Sequence, residues 1–115
     1  MTVNILLLDD DHDFRKLVAL RIKSFIPDTN FTECSDLNEV RQVFKDSKER
    51  FFDLVVLDQH LPDGRGIDLL KEGLFVNMIV LAVSSDESYE MPGETVSAGA
   101  AYFIPKEQVL SLIHI

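Results

Sequence analysis

Four places in this chain carry side chains able to do chemistry, and each follows an apolar run. Val3 to Leu8 ends in Asp9-Asp10-Asp11, and Leu54 to Leu57 ends in Asp58. Asn77 to Val83 ends in Ser84, and Ala100 to Ile104 ends in Pro105-Lys106. Runs of Leu, Ile and Val between turn signals read as strands buried on both faces. In open parallel sheets, ligands sit in the crevice beyond the carboxyl ends of such strands. A doubly wound arrangement with its crevice between the first and third strands would bring Asp9 and Asp10 beside Asp58. At 4 Å and an effective dielectric near 20, each carboxylate pair costs roughly 4 kcal/mol. Raised pKa values or a bound cation must offset that repulsion. An all-oxygen site suits Mg²⁺, which keeps some waters and leaves room for phosphate oxygens. With the Ser84 hydroxyl and the Lys106 ammonium, these are the parts a phosphoryl group needs. The carboxylate attacks, and the cations and donors neutralise charge on the phosphoryl oxygens.

Taken singly, each residue has a plainer reading. An Asp after a strand is commonly a helix cap, Ser84 a turn residue and Lys106 a solvated surface lysine. What favours the chemical reading is the required residue type at all four strand ends facing one crevice.

The elements that must position them follow in strict alternation. After the first strand, Phe14, Leu17, Val18, Ile22 and Phe25 share a helical face; Asp11 or Asp13 can start that helix, and Pro27 ends it. Asn30 to Cys34 has the mixed polarity of an edge strand. Ser35 or Asp36 can cap a second helix with the stripe Leu37, Val40, Val43 and Phe44, reaching about Lys48. Ile67 to Glu72 reads as a short third helix that stops near Gly73. Pro92-Gly93 limits the next helix to about Glu94 to Ala98. Glu107 to Ile115 begins a last one. Strand–helix pairs repeated five times imply βαβ crossovers, hence an α/β, doubly wound (βα)5 three-layer sandwich with a parallel sheet.

The totals agree with one soluble domain. The 115 residues are 46% apolar and 27% charged, enough for a single core. A net charge of −9 argues against nucleic-acid binding by this domain. No window approaches the roughly 18 apolar residues of a membrane span, and the N-terminus lacks a signal-peptide pattern. One cysteine, Cys34, rules out an internal disulfide and suits a reducing compartment, so a cytoplasmic location is expected.

The sequence resembles the receiver domain of two-component response regulators over nearly its whole length. The resemblance is carried by Ile5-Leu6-Leu7-Leu8-Asp9-Asp10-Asp11 with Arg15, and by Asp58 followed by Leu61-Pro62-Asp63-Gly64 and Gly66. Ser84-Ser85, Gly99-Ala100 and Phe103-Ile104-Pro105-Lys106 complete it. It implies a flavodoxin-like strand order 2-1-3-4-5, with Asp58 as phosphoacceptor. Asp10, Asp58 and the backbone carbonyl of His60 would hold Mg²⁺, with Asp9 acting mainly through water. Lys106 would bind one phosphoryl oxygen and Ser84 would move to another. Phe103 falls at the family's switch aromatic, although its residue type also suits an ordinary core position. The implied partners are a sensor histidine kinase or histidine phosphotransfer protein and a fused or separate output domain. Residues 1–115 are then either a complete regulator or the N-terminal domain of a longer one.

The chain departs from the family at three places: Glu107 where many members have Pro, the Pro92-Gly93 interruption of the fourth helix, and a final helix of only about nine residues. His60 also stands where it could influence dephosphorylation, or be an exposed loop residue, whereas His12 and His114 are too isolated to read as ligands. A phosphorylation-independent receiver-like adaptor is the alternative. An aspartyl-phosphate hydrolase would need a second Asp two residues past the nucleophile, where His60 stands. A nucleotide or flavin module would need a Gly-rich first turn, which is lacking.

Overall fold

The computed structural model describes residues 1–47, 50–84 and 96–112, with side chains through Val109. Five strands, β1 (Val3–Leu8), β2 (Thr29–Cys34), β3 (Leu54–Asp58), β4 (Ile79–Ser84) and β5 (Tyr102–Pro105), form one sheet. All pairings are parallel, in the order β2-β1-β3-β4-β5. The expected doubly wound arrangement is therefore present, with β1 and β3 adjacent at its centre.

The alternation of side chains along each strand divides the interior into two cores. Leu6 and Leu8 of β1, Val55 and Leu57 of β3, and Val80 and Ala82 of β4 face one way. There they meet Leu37 and Val40 of α2 (Leu37–Asp46) and Ile67, Leu69 and Leu70 of α3 (Gly66–Lys71). Ile5, Leu7, Val56 and Val83 face the other way, toward Phe14 and Val18 of α1 (His12–Phe25) and Val109 of the C-terminal helix (Lys106–Leu112). Crossover helices thus cover both faces of the sheet, which is why its central strands are apolar at nearly every position.

Several boundaries move for local reasons. Asn77 takes a left-handed conformation (φ 64°) that closes a turn, so β4 begins at Ile79 and not at Asn77. Gly99 (φ 123°) turns the chain before β5, which runs from Tyr102 to Pro105 in place of Ala100 to Ile104. The α1 face is narrower than the sequence pattern: Phe14 and Val18 are buried, but Leu17 and Phe25 are exposed. Leu17 lies on the flank of the stripe, and Phe25 is the last residue of the helix. Of the expected helix at Glu94 to Ala98, Glu94 and the Pro92-Gly93 interruption lie outside the described residues, as do Lys48, Ser85 and His114. Val96 and Ser97 are helical.

The N-terminus of α2 is capped twice. Asp36, one of the two expected caps, accepts from the Glu39 amide at 2.8 Å. The second cap comes from 26 residues away: Asp63, in the β3–α3 loop, accepts from the Leu37 and Asn38 amides at 2.9 and 3.0 Å. These bonds satisfy amides that a helix start leaves without partners, and they hold the Asp63 carboxyl below its ordinary pKa. They also tie the loop after Asp58 to the neighbouring helix. Asp63→Ala is expected to cost about 1 kcal/mol, read as a lower urea midpoint with an unchanged slope.

Candidate functional site

Strand pairing assembles the site from segments far apart in sequence. The Asp9 amide donates to the Cys34 carbonyl at 3.0 Å, continuing the β1–β2 ladder one residue past β1. Asp58 is the last residue of β3, opposite Val83, and Ser84 is the last of β4, opposite Pro105. Lys106 follows directly, opening the C-terminal helix. All four predicted strand ends therefore meet at one edge of the sheet.

Ligand atoms of Asp9, Asp10 and Asp58 lie within 4.8 Å of one another. Asp9 and Asp58 are buried and Asp10 is exposed, so the cluster opens to solvent on the Asp10 side. The third aspartate of the run is not part of it. Asp11 caps α1, accepting from the Asp13 and Phe14 amides at 3.1 and 3.2 Å. Lys106 reaches in over the Phe14 ring, its Nζ 4.8 Å from the ring centroid. Nζ donates to Asp9 Oδ1 at 2.9 Å and lies 2.7 Å from Oδ2 and 3.4 Å from Asp58 Oδ2.

Three carboxylates facing one ammonium leave a surplus of negative charge in a poorly hydrated place. Burial pushes the Asp58 carboxyl up to about 6, and the charge of Asp9 adds to the rise against the opposing pull of Lys106. Asp9 is raised for the same first reason, despite its hydrogen bond to Lys106. Burial works against the Lys106 charge, but the bond to Asp9 and the charge of Asp58 outweigh it and raise its pKa. Asp9 Oδ2 is buried and, although close to Nζ, receives no well-directed hydrogen bond among the described residues. Three clustered carboxylates, with one buried oxygen lacking a directed hydrogen bond, are the donor set a hard divalent cation takes.

Two supports are harder to read from residue types. Arg15, one turn into α1, donates to the Asp9 backbone carbonyl and to Glu33 Oε1 of β2 at 3.0 Å, fixing the β1–α1 turn from two sides. Gly66 is required by close approach: a Cβ there would lie 2.1 Å from the Asp58 carbonyl oxygen. Its signal was visible as the second glycine after Asp58, but the contact exists only once α3 docks. His60 is an exposed loop residue whose amide points toward Asp58 Oδ1 at 3.4 Å. Phe103 is half-buried against the α2–α3 core. No peptide bond among the described residues is cis, so Glu107 follows Lys106 through a trans peptide.

The family model for the response regulator receiver domain matches residues 5–114. The chain belongs to that family. The phosphorylated cyanobacterial phytochrome response regulator RcpA superposes with a TM-score of 0.85 at 15% identity, over 98% of this chain and 89% of that one. A response regulator from Burkholderia pseudomallei, solved with a phosphorylated aspartic acid, a calcium ion and citrate, superposes at 0.76 and 19% identity, over 96% and 66%. By sequence, the chain is 29% identical over 111 residues to a protein-glutamate methylesterase/protein-glutamine glutaminase from Idiomarina loihiensis, covering 93% of this chain. It spans 28% of that relative's length, so the match is to a fused receiver and not evidence of esterase catalysis by this domain. Receiver domains are signalling domains, and no helix among the described residues is long and apolar enough to cross a membrane.

Two predictions test this arrangement. Because the folded pKa of Asp58 lies above its ordinary value, the folded state favours the protonated form, and stability falls as pH rises from about 4 through 6. Asp58→Asn is expected to reduce that pH dependence to the part due to Asp9 and to stabilise the metal-free protein at pH 7 by about 2 kcal/mol, measured as Tm between pH 4.5 and 7.5. An ordinary Gly→Ala change in a helix is stabilising, but Gly66→Ala is expected to destabilise by at least about 2 kcal/mol in the same melts.

Proposed function

We propose that Asp58 accepts a phosphoryl group from a sensor histidine kinase or histidine phosphotransfer protein, in a Mg²⁺-dependent reaction, and so switches an output. The observation that carries this reading is the buried Asp58 carboxylate, grouped with Asp9 and Asp10 and 3.4 Å from Lys106. A pair of carboxylates and an ammonium around a buried carboxylate are what a nucleophile toward phosphorus needs.

In the transfer, an Asp58 oxygen bonds to phosphorus while the bond from phosphorus to the donor's imidazole nitrogen breaks. The electron pair returns to that nitrogen. Asp10, Asp58 and the His60 carbonyl would hold Mg²⁺, with Asp9 contributing through water; the ion supplies neutralisation of the phosphoryl oxygens. Lys106, already held in place by Asp9, takes a second share of that charge. Ser84 donates its hydroxyl proton to another phosphoryl oxygen. Phe103, half-buried next to the core that Ser84 leaves, then moves inward and changes the surface beside β5.

The domain turns over no separate substrate; its chemistry is its own phosphorylation and dephosphorylation. A cytoplasmic setting suits a phosphoryl donor of this kind, and the output is a domain of the same chain or a separate protein. The acidic surface does not favour nucleic acid as a direct ligand of this domain.

Incubation with acetyl phosphate and Mg²⁺ is expected to add one hydroxylamine-labile phosphoryl group by intact mass. Asp58→Asn abolishes it, and Lys106→Ala slows it by at least about tenfold. Labelling that persists in Asp58→Asn would overturn the assignment. Failure of the wild type to bind either Mg²⁺ or beryllofluoride would leave the phosphorylation-independent adaptor as the function.

A further inference from the structure

Directly after Asp58 stands a residue that the chemistry so far leaves unused. Gln59 has no solvent exposure, and neither Oε1 nor Nε2 of its amide has a hydrogen-bond partner among the described residues. Its backbone is well held, since its N–H donates to the Val83 carbonyl at 3.1 Å and its own carbonyl accepts from Gly66 at 3.4 Å. A buried primary amide with both ends unpaired is costly, and a hydrocarbon of the same size would fill the space without that cost. Sheet register says what lies beside it. Leu57 is opposite Ala82 and Asp58 opposite Val83, so the next step places Gln59 opposite Ser84. Continued one step past β3, the alternation of the strands would turn both toward the side of Leu57 and Ala82, the α2–α3 core, and away from that of Val83.

We propose that Gln59 is a positioning residue for the Ser84 hydroxyl in the phosphorylated state, an inference that rests on the function proposed above. A hydroxyl has one proton to donate and two lone pairs. Once Ser84 gives its proton to a phosphoryl oxygen, its lone pairs accept from Gln59 Nε2. The chain from amide to hydroxyl to phosphoryl oxygen then fixes which way the single proton points, and each bond polarises the next. At rest the amide has no partner among the described residues, which burdens the unphosphorylated state. Both effects favour the charged site.

The test is beryllofluoride binding with Mg²⁺ by calorimetry, together with Tm, for wild type, Gln59→Met, Ser84→Ala and the double variant. Gln and Met are close in size and unbranched, and Gln59→Leu serves if Gln59→Met does not fold. The expected result is a higher Tm for the ligand-free Gln59→Met protein and an affinity about tenfold below wild type. In the Ser84→Ala background, Gln59→Met is expected to change affinity no further. Equal affinity for wild type and Gln59→Met would overturn the proposal, as would the same loss with and without Ser84. Absence of binding by wild type itself would instead overturn the phosphoacceptor function on which it stands.

Discussion

The repulsion among Asp9, Asp10 and Asp58 is the constraint around which this domain is built. Two of the three carboxylates are buried, and a single ammonium cannot neutralise them all. Burial favours the neutral form of both Asp9 and Asp58. The fold nevertheless holds them together, with strand pairing on one side and Arg15 on the other clamping the turn that carries Asp9. A cation bound here would relieve that repulsion and a phosphoryl group would add to it, so such a site is sensitive to either.

Responsiveness also needs a route outward. Asp58 is joined to the rest of the molecule through short connections: Gly66 packed against its carbonyl, and Asp63 five residues on, anchored to the start of α2. Leu61 and Gly64 close the intervening turn with a pair of backbone bonds at 3.1 and 3.3 Å. This loop is therefore stiff, and a disturbance at Asp58 is poorly absorbed there. The opposite side is different. Ser84 ends β4, Gln59 follows β3, and the neighbouring β5 is a four-residue edge strand whose Phe103 is only half-buried. The proposed switch would thus act on the β4–β5 side.

Much of this was legible before folding. Strands, most of them apolar, alternating with amphipathic helices fix a parallel sheet, because both faces must be covered and each crossover has one favoured hand. Asp58, Ser84 and Lys106 could be placed at strand ends because an apolar run stopped at each. Where the reading strayed, it did so over boundaries and faces. Leu17 and Phe25 fit the helical period but not the width of the contact, and Asn77 fits a strand by neighbourhood but turns by its own φ. Periodicity records direction along one element and says nothing about how far the neighbouring layer extends.

Residue types and their order determined the fold class, the crevice and the acidic, hydroxyl and ammonium groups gathered there. Only the tertiary structure decided how those groups are apportioned. Among three consecutive aspartates it made Asp9 a partner of Lys106, left Asp10 open to solvent and spent Asp11 on capping α1. It gave Asp63 to α2, brought Gly66 against Asp58 and left the Gln59 amide buried without a partner among the described residues. The reason is physical. Which strand end an atom belongs to follows from local pattern, but hydrogen-bond partners and desolvation depend on distances between segments that only meet once the sheet has closed its register.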